Sequence, residues 1–225
     1  MIATLIAVFL FIIYAPQWWV RYIMNKYNTT ITQLPGTGGE LAEHLIERYQ
    51  LNVSVEMTDT GDHYDPQTKT VRLSSNNYNG KSLTAIAIAA HEVGHAVQDF
   101  RKENLLIVRG RMVETAQRFE KIGAGIIFIA PIISAVTRMP AIGILIGIIG
   151  ILSMASTVVV HLISLPLEFD ASFNKALPLL EEGNYVTKHD LISVRRVLLA
   201  AALTYVAAAL SSLFNVWRWI KILKR

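Results

Sequence analysis

The sequence predicts a mainly α-helical membrane protein, with about four transmembrane helices and a small α+β unit carried between them. Three observations predict it. Hydrophobic residues make up 52% and charged residues 17% of the 225 positions, against roughly 25% charged in ordinary soluble domains, and the mean hydropathy is +0.39. The apolar residues gather into long uncharged runs rather than amphipathic stripes. All four tryptophans, Trp18, Trp19, Trp217 and Trp219, stand at the ends of the first and last runs, where an aromatic belt meets the membrane surface.

Residues 1–20 hold no charged side chain, and Lys or Arg appears only from Arg21 onward. A secretory signal needs a basic start and a small-residue cleavage site, so this run reads as an uncleaved anchor of spanning length. Residues 21–121 form a polar segment. Within it, 28–39 is a Gly/Thr/Pro linker, 40–49 repeats apolar residues as a short amphipathic helix, and 53–57 alternates like a strand. The turn-rich stretch 61–69 then leads into a second alternating run at 70–73. An exposed edge at 70–73 suits an extended peptide that binds by strand addition. Residues 122–167 read as a transmembrane hairpin, turned at 137–140 by Arg138 and Pro140 and kinked at Pro131. Residues 168–196 are polar again and read as a helix opened by Pro166 plus a connection. A last span covers 197–217, and 218–225 forms a basic interfacial tail.

A net charge of +4 and a pI of 9.3 could suit nucleic acid. The basic residues are dispersed and no recognition motif accompanies them, so no nucleic-acid partner is expected. Cysteine is absent, which excludes disulfides, thiolate metal sites and a cysteine nucleophile. Any metal must be held by His, Asp or Glu.

The stretch 82–100 reads SLTAIAIAAHEVGHAVQDF, with polar start signals at 81–84 and strong helix formers after them. It contains HExxH. His91 and His95 are four residues apart and emerge from one helix face, so both imidazoles can bind one Zn²⁺. Glu92 sits beside them as general base for a zinc-activated water, and Gly94 leaves the helix open to close approach. A helix that merely happens to carry two histidines and a glutamate is the plain alternative. A catalytic zinc takes a third protein ligand, yet positions 98 and 101 are Gln and Arg rather than the histidine of HExxHxxGxxH. A carboxylate is therefore expected from Glu168 or Asp170, although a first-turn acid that complements the helix dipole is an equal reading of Glu168. Two membrane passes separate His95 from Glu168, so both emerge on one side. His63 and Tyr64 could hold substrate or simply build a turn with Asp62 and Asp65. His161, inside the third span, is expected to pack or to orient a ligand. His44 and His189 belong to no visible constellation.

The set DHYDP (62–66), VRLS (71–74), NYNG (77–80), AAHEVGHAVQ (89–98), LPLEFDAS (165–172) and LTYVAAALSSL (203–213) resembles the YugP-type membrane zinc metallopeptidases. More distantly, the chain is similar to gluzincin membrane proteases of the HtpX and CAAX-prenyl-protease type. The resemblance implies a zincin-like catalytic unit, one Zn²⁺ per chain and zinc metalloendopeptidase activity. It places Glu168 as third ligand and Ser172 where those relatives have Asp, with Asp170 a possible substitute. It also implies a peptide or protein substrate, a bacterial cell membrane and a cytoplasmic catalytic unit. The Lys/Arg excess of 21–121 and 168–196 favours that same side, against the basic C-terminal cluster. Two rivals remain. An intramembrane site-2-type protease would bury HExxH in a span, whereas Lys81, Asp99, Arg101 and Lys102 bracket this one. A catalytically silent membrane adaptor with a structural zinc site would need no Glu92.

Overall fold

A computed structural model describes residues 2–223, with side chains for all of these except 2, 3, 5–7, 9, 10, 140, 151, 154, 155, 157 and 212–223. The chain is mostly helical with one small sheet. Helix α1 covers Ile2–Lys26, α2 Gly38–Arg48, α3 Ser75–Tyr78, α4 Leu83–Phe100, α5 Asn104–Thr137, α6 Pro140–Phe169, α7 Leu177–Glu182 and α8 Asp190–Leu223. A π-helical segment, Asp170–Ala176, joins α6 to α7. The expected interfacial tail at 218–225 and the belt residues Trp217 and Trp219 lie outside the residues whose side chains are described. Trp18 is exposed and Trp19 half-buried.

Two compact units divide the chain. One comprises Met1–Pro16, Val108–Ser164 and Tyr205–Arg225, the other Gln17–Ile107 and Leu165–Thr204.

In the first unit, α5 and α6 pair as an antiparallel hairpin. A Cβ on Gly143 would lie 2.6 Å from the Ser134 side chain, and one on Gly150 would lie 2.6 Å from Ile127 and 2.9 Å from the Gly123 carbonyl. Small residues at such a seam let helix backbones approach closely. The turn falls at Arg138, which takes a positive φ of 54°, with α6 starting at Pro140 as the 137–140 signal predicts. Phe128, Ile132, Val136, Ile144, Leu145 and Leu152 remain exposed, an apolar surface suited to lipid. Among the described residues, α5 and Asp190–Ser211 of α8 are long and apolar enough to cross a membrane. Helix α5 starts at Asn104, not near 122, and runs unbroken through Pro131.

The second unit is built around α4, whose residues 83–98 are all buried. Ser82 caps it by accepting from the Ala85 amide at 3.0 Å. Helix α2 opens with a reciprocal capping box. Thr37 Oγ1 accepts from the Glu40 amide, and the Glu40 carboxylate accepts from the Thr37 amide. Leu45, Leu73, Ile86, Val93, Val194 and Leu198 lie in one core.

The sheet contains β1 (Ser54–Thr58), β2 (His63–Asp65) and β3 (Thr70–Ser74), in the order β1-β3-β2. Strand β3 pairs parallel with β1 and antiparallel with β2. This corrects the expectation of an exposed edge at 70–73, because that strand is central, paired with β1 along its length and with β2 at Thr70, Val71 and Arg72. The reason is β2, three residues hidden among turn formers. The Asp62 carboxylate ties the approach to β2 by accepting from the Ser74 amide and hydroxyl and from Asn77 Nδ2. The free edges belong to β1 and β2.

A second correction concerns Pro166. No helix begins there: α6 continues through it to Phe169, and the chain then widens into the π segment, where the Leu177 amide donates to the Ser172 carbonyl five residues back. Glu168 thus sits in the last turn of a long helix, and the alternative of a first-turn acid complementing a dipole falls away.

Candidate metal centre

Helix periodicity puts His91 and His95 on one face of α4, and close helix approach brings Glu168 to them. A Cβ on Gly94 would lie 2.7 Å from the Ala171 carbonyl and 3.3 Å from Lys175 Cβ. Only glycine admits the π segment at that separation. Glu168 Oε2 consequently stands 3.3 Å from His91 Nε2 and 3.2 Å from His95 Nε2. All three residues are buried, Glu168 to 1% exposure, and their ligand atoms lie within 4.8 Å of one another. Glu92 is buried beside them on α4.

The other ring nitrogens are held from behind. His95 Nδ1 lies 2.9 Å from Gln98 Oε1. The orientation of that amide is fixed, because Gln98 Nε2 donates to the Leu167 carbonyl at 3.0 Å and to Asp170 Oδ2 at 2.8 Å, and neither can donate in return. His95 Nδ1 therefore carries the proton. His91 Nδ1 lies 3.0 Å from Ser172 Oγ, whose hydroxyl donates to the Leu198 carbonyl at 3.1 Å. The arrangement that satisfies both contacts has Ser172 accept from His91 Nδ1–H.

Two imidazole nitrogens, each with its other ring nitrogen already engaged, thus converge on one buried carboxylate oxygen. Two nitrogens and one carboxylate oxygen match the donor set of zinc enzymes that keep a fourth position open. The residues fit the metal.

Asp170 does not join this set. It accepts from Gln98, from Asn174 and from Lys175, which also reaches Glu103 at 3.1 Å. Burial alone would raise the Asp170 carboxyl, but these hydrogen bonds outweigh it and hold it below the usual carboxylate range. Burial likewise opposes the Lys175 charge, and its two carboxylate partners outweigh it, so the ammonium is held above its ordinary value.

Tyr64 donates its hydroxyl to Asp99, which also accepts from Lys69. Burial and then Asp99 push the phenol well above its usual range, so its proton is committed there. His63 Nδ1 contacts the Gly61 carbonyl at 2.8 Å. His161 belongs to the other unit, edge-on to the Tyr205 ring, which Arg109 covers and whose hydroxyl Arg109 contacts. Of the residues singled out from sequence, the structure gathers His91, Glu92, His95 and Glu168, with Asp170 one contact further out. In the sequence alone, Gln98 stands out only as a departure from HExxHxxGxxH. Its signal was its place three residues after His95, on the same helix face.

The chain matches the family described as "Putative neutral zinc metallopeptidase" over residues 2–224. It belongs to that family. It is also 34% identical over 209 residues, 92% of this chain and 89% of the relative, to the "Putative membrane protease YugP" of Bacillus subtilis (strain 168). No solved structure matches it.

Proposed function

We propose that this family member is a membrane-embedded zinc endopeptidase in which His91, His95 and Glu168 hold one Zn²⁺ and Glu92 is the general base. The observation that carries the reading is the convergence of His91, His95 and Glu168, all buried, with ligand atoms within 4.8 Å of one another on α4 and α6. A zinc ion bound there supplies Lewis acidity and makes water nucleophilic at neutral pH. Glu92 accepts a proton from the attacking water at its carboxylate and returns it to the departing amine nitrogen, so the peptide bond breaks as acid and amine form. Gln98 and Ser172 hold the imidazoles, and burial of all three ligands keeps bulk water from competing. Spans at α1, α5, α6 and α8 anchor the unit. Lys and Arg counts near their ends support a cytoplasmic site.

The test is a pair of variants. Glu92→Gln should retain about one zinc per chain and lose roughly 10²–10⁴-fold in peptide hydrolysis, whereas Glu168→Ala should lose the metal as well. Full activity in Glu92→Gln would overturn the base assignment, and unchanged zinc affinity in Glu168→Ala would overturn the ligand set. For orientation, a cysteine at position 63 in this cysteine-free chain should resist a membrane-impermeant thiol reagent in intact cells. Labelling there would put the site outside.

A further inference from the structure

We propose that Gln98 and Ser172 are positioning residues that preset the tautomers of His95 and His91, so that both Nε2 lone pairs face Glu168 before any metal arrives. The inference rests on the ligand reading given above. It deepens that reading by stating how the chain prepares its histidines.

A neutral histidine can carry its proton on either ring nitrogen, and only the Nδ1–H form offers Nε2 to a metal. Here two acceptors of different chemistry select that form, and each is constrained by partners of its own. Gln98 is completely buried, and its amide is pinned by the Leu167 carbonyl at 3.0 Å and Asp170 at 2.8 Å. Asp170 is in turn held by Lys175 Nζ at 2.8 Å, and Lys175 by Glu103 at 3.1 Å. Turning the amide over would place its oxygen against two acceptors and its NH₂ against a protonated nitrogen. Ser172, also completely buried, has a single proton, which the Leu198 carbonyl takes at 3.1 Å. Its lone pairs are left for His91 Nδ1 at 3.0 Å.

The two devices share no side chain. Both are delivered by one stretch of chain, because Leu167, Asp170 and Ser172 flank Glu168 at the end of α6 and the start of the π segment. That stretch thus brings the third ligand and orients the other two. A π-helical segment at this place is consistent with the concentration of such segments at functional sites. Outer partners of metal-bound histidines tune affinity typically 10–100-fold.

The experiment uses the full chain in detergent micelles, stripped of metal, labelled with ¹⁵N-histidine and held at pH 8. Two-bond ¹⁵N–¹H correlation spectra distinguish the two tautomers, and His91→Asn and His95→Asn assign the signals. The unaltered chain should show both histidines as Nδ1–H. Gln98→Leu should release His95 to a mixture and leave His91 unchanged, and Ser172→Ala should do the reverse. Chelator competition should show zinc binding weakened roughly 10–100-fold in Gln98→Leu and Ser172→Ala.

An Nε2–H signal for either histidine in the unaltered chain would overturn the proposal, whatever the variants do. So would a variant that frees its histidine with no loss of zinc affinity, or two variants that disturb both histidines alike. A chain that keeps both Nδ1–H forms but binds no zinc would overturn the ligand assignment and leave this inference standing.

Discussion

Gly94→Ala is a single methyl added between the two ligand-bearing segments. Its Cβ would stand 2.7 Å from the Ala171 carbonyl, whereas ordinary contact begins near 3.4 Å, so the segments must part by about 0.7 Å. The obstacle is backbone on a buried helix and cannot swing aside. Overpacking of this kind costs about 1–3 kcal/mol, offset by about 1 kcal/mol from replacing glycine inside a helix. Net destabilisation should therefore stay below about 2 kcal/mol, and the protein should fold. The site should suffer more. Functional constellations need placement within about 0.5 Å, and Ala171 lies between Asp170 and Ser172 and three residues after Glu168. Zinc affinity should fall at least tenfold, about 1.4 kcal/mol of lost binding free energy. Chelator competition measures the affinity, and thermal unfolding of the metal-free protein measures the fold. Gly110→Ala is the control, since an added Cβ there meets nothing within 4 Å. If Gly94→Ala bound zinc as tightly as the unaltered chain and gained stability as the control does, the close-approach argument would be wrong.

Removing the buried cation should also be felt. Lys175→Met leaves the partly buried Asp170 and Glu103 without the ammonium they share, and should cost about 1–3 kcal/mol in denaturant unfolding; an unchanged midpoint would mean that the network contributes nothing. Asp65 is held down to about 2 first by the Arg72 guanidinium, then by the Gln67 and Thr68 hydrogen bonds. A depressed carboxyl stabilises the fold above its unfolded pKa near ~3.9, and that contribution is lost as pH falls toward 2. Unfolding between pH 5 and 2 should accordingly show the acid limb of Arg72→Ala at higher pH than that of the unaltered chain, and coincident limbs would refute the assignment. In the apolar unit, Gly143→Leu drives a side chain into Ser134 and should lower the thermal midpoint by several degrees in micelles, while the exposed Leu145→Ala changes little.

The local half of the site was legible because helix periodicity alone sets it. HExxH needs only α4, and α4 announces itself through the Ser82 cap and an uninterrupted run of helix formers. The hairpin turn was legible for the same reason, since Arg138 and Pro140 break two apolar runs. Strand β2 was not: three residues are too few to show a period of two, and Asp62, Asp65 and Gly61 read as turn chemistry. Hiding β2 also hid the burial of β3, because an edge and a centre strand differ only in what pairs with them. Pro166 misled differently. It is compatible with a first helical turn, yet an apolar run that reaches it from the N-terminal side can continue through it when packing repays the lost hydrogen bond.

The residue proposed as third ligand lay between these cases. Glu168 is 73 residues from His95, and no periodicity connects positions so far apart. Parity of the expected membrane passes allowed the two to meet; packing brings Glu168 rather than Asp170 to the imidazoles. The decision is made on α4 by glycine at 94, which admits the backbone of residue 171, and by Gln98, which engages Asp170 through its amide and leaves the neighbouring carboxylate to the imidazoles. Two acids two residues apart thereby acquire different tasks from one helix face. A carboxylate at 170 that already accepts from Gln98, Asn174 and Lys175 has few lone pairs left for a metal, and a metal at Asp170 would have to displace them. Selecting which carboxylate meets the imidazoles by satisfying its competitor elsewhere is a tertiary property. It is written in residues that carry no ligand signature of their own.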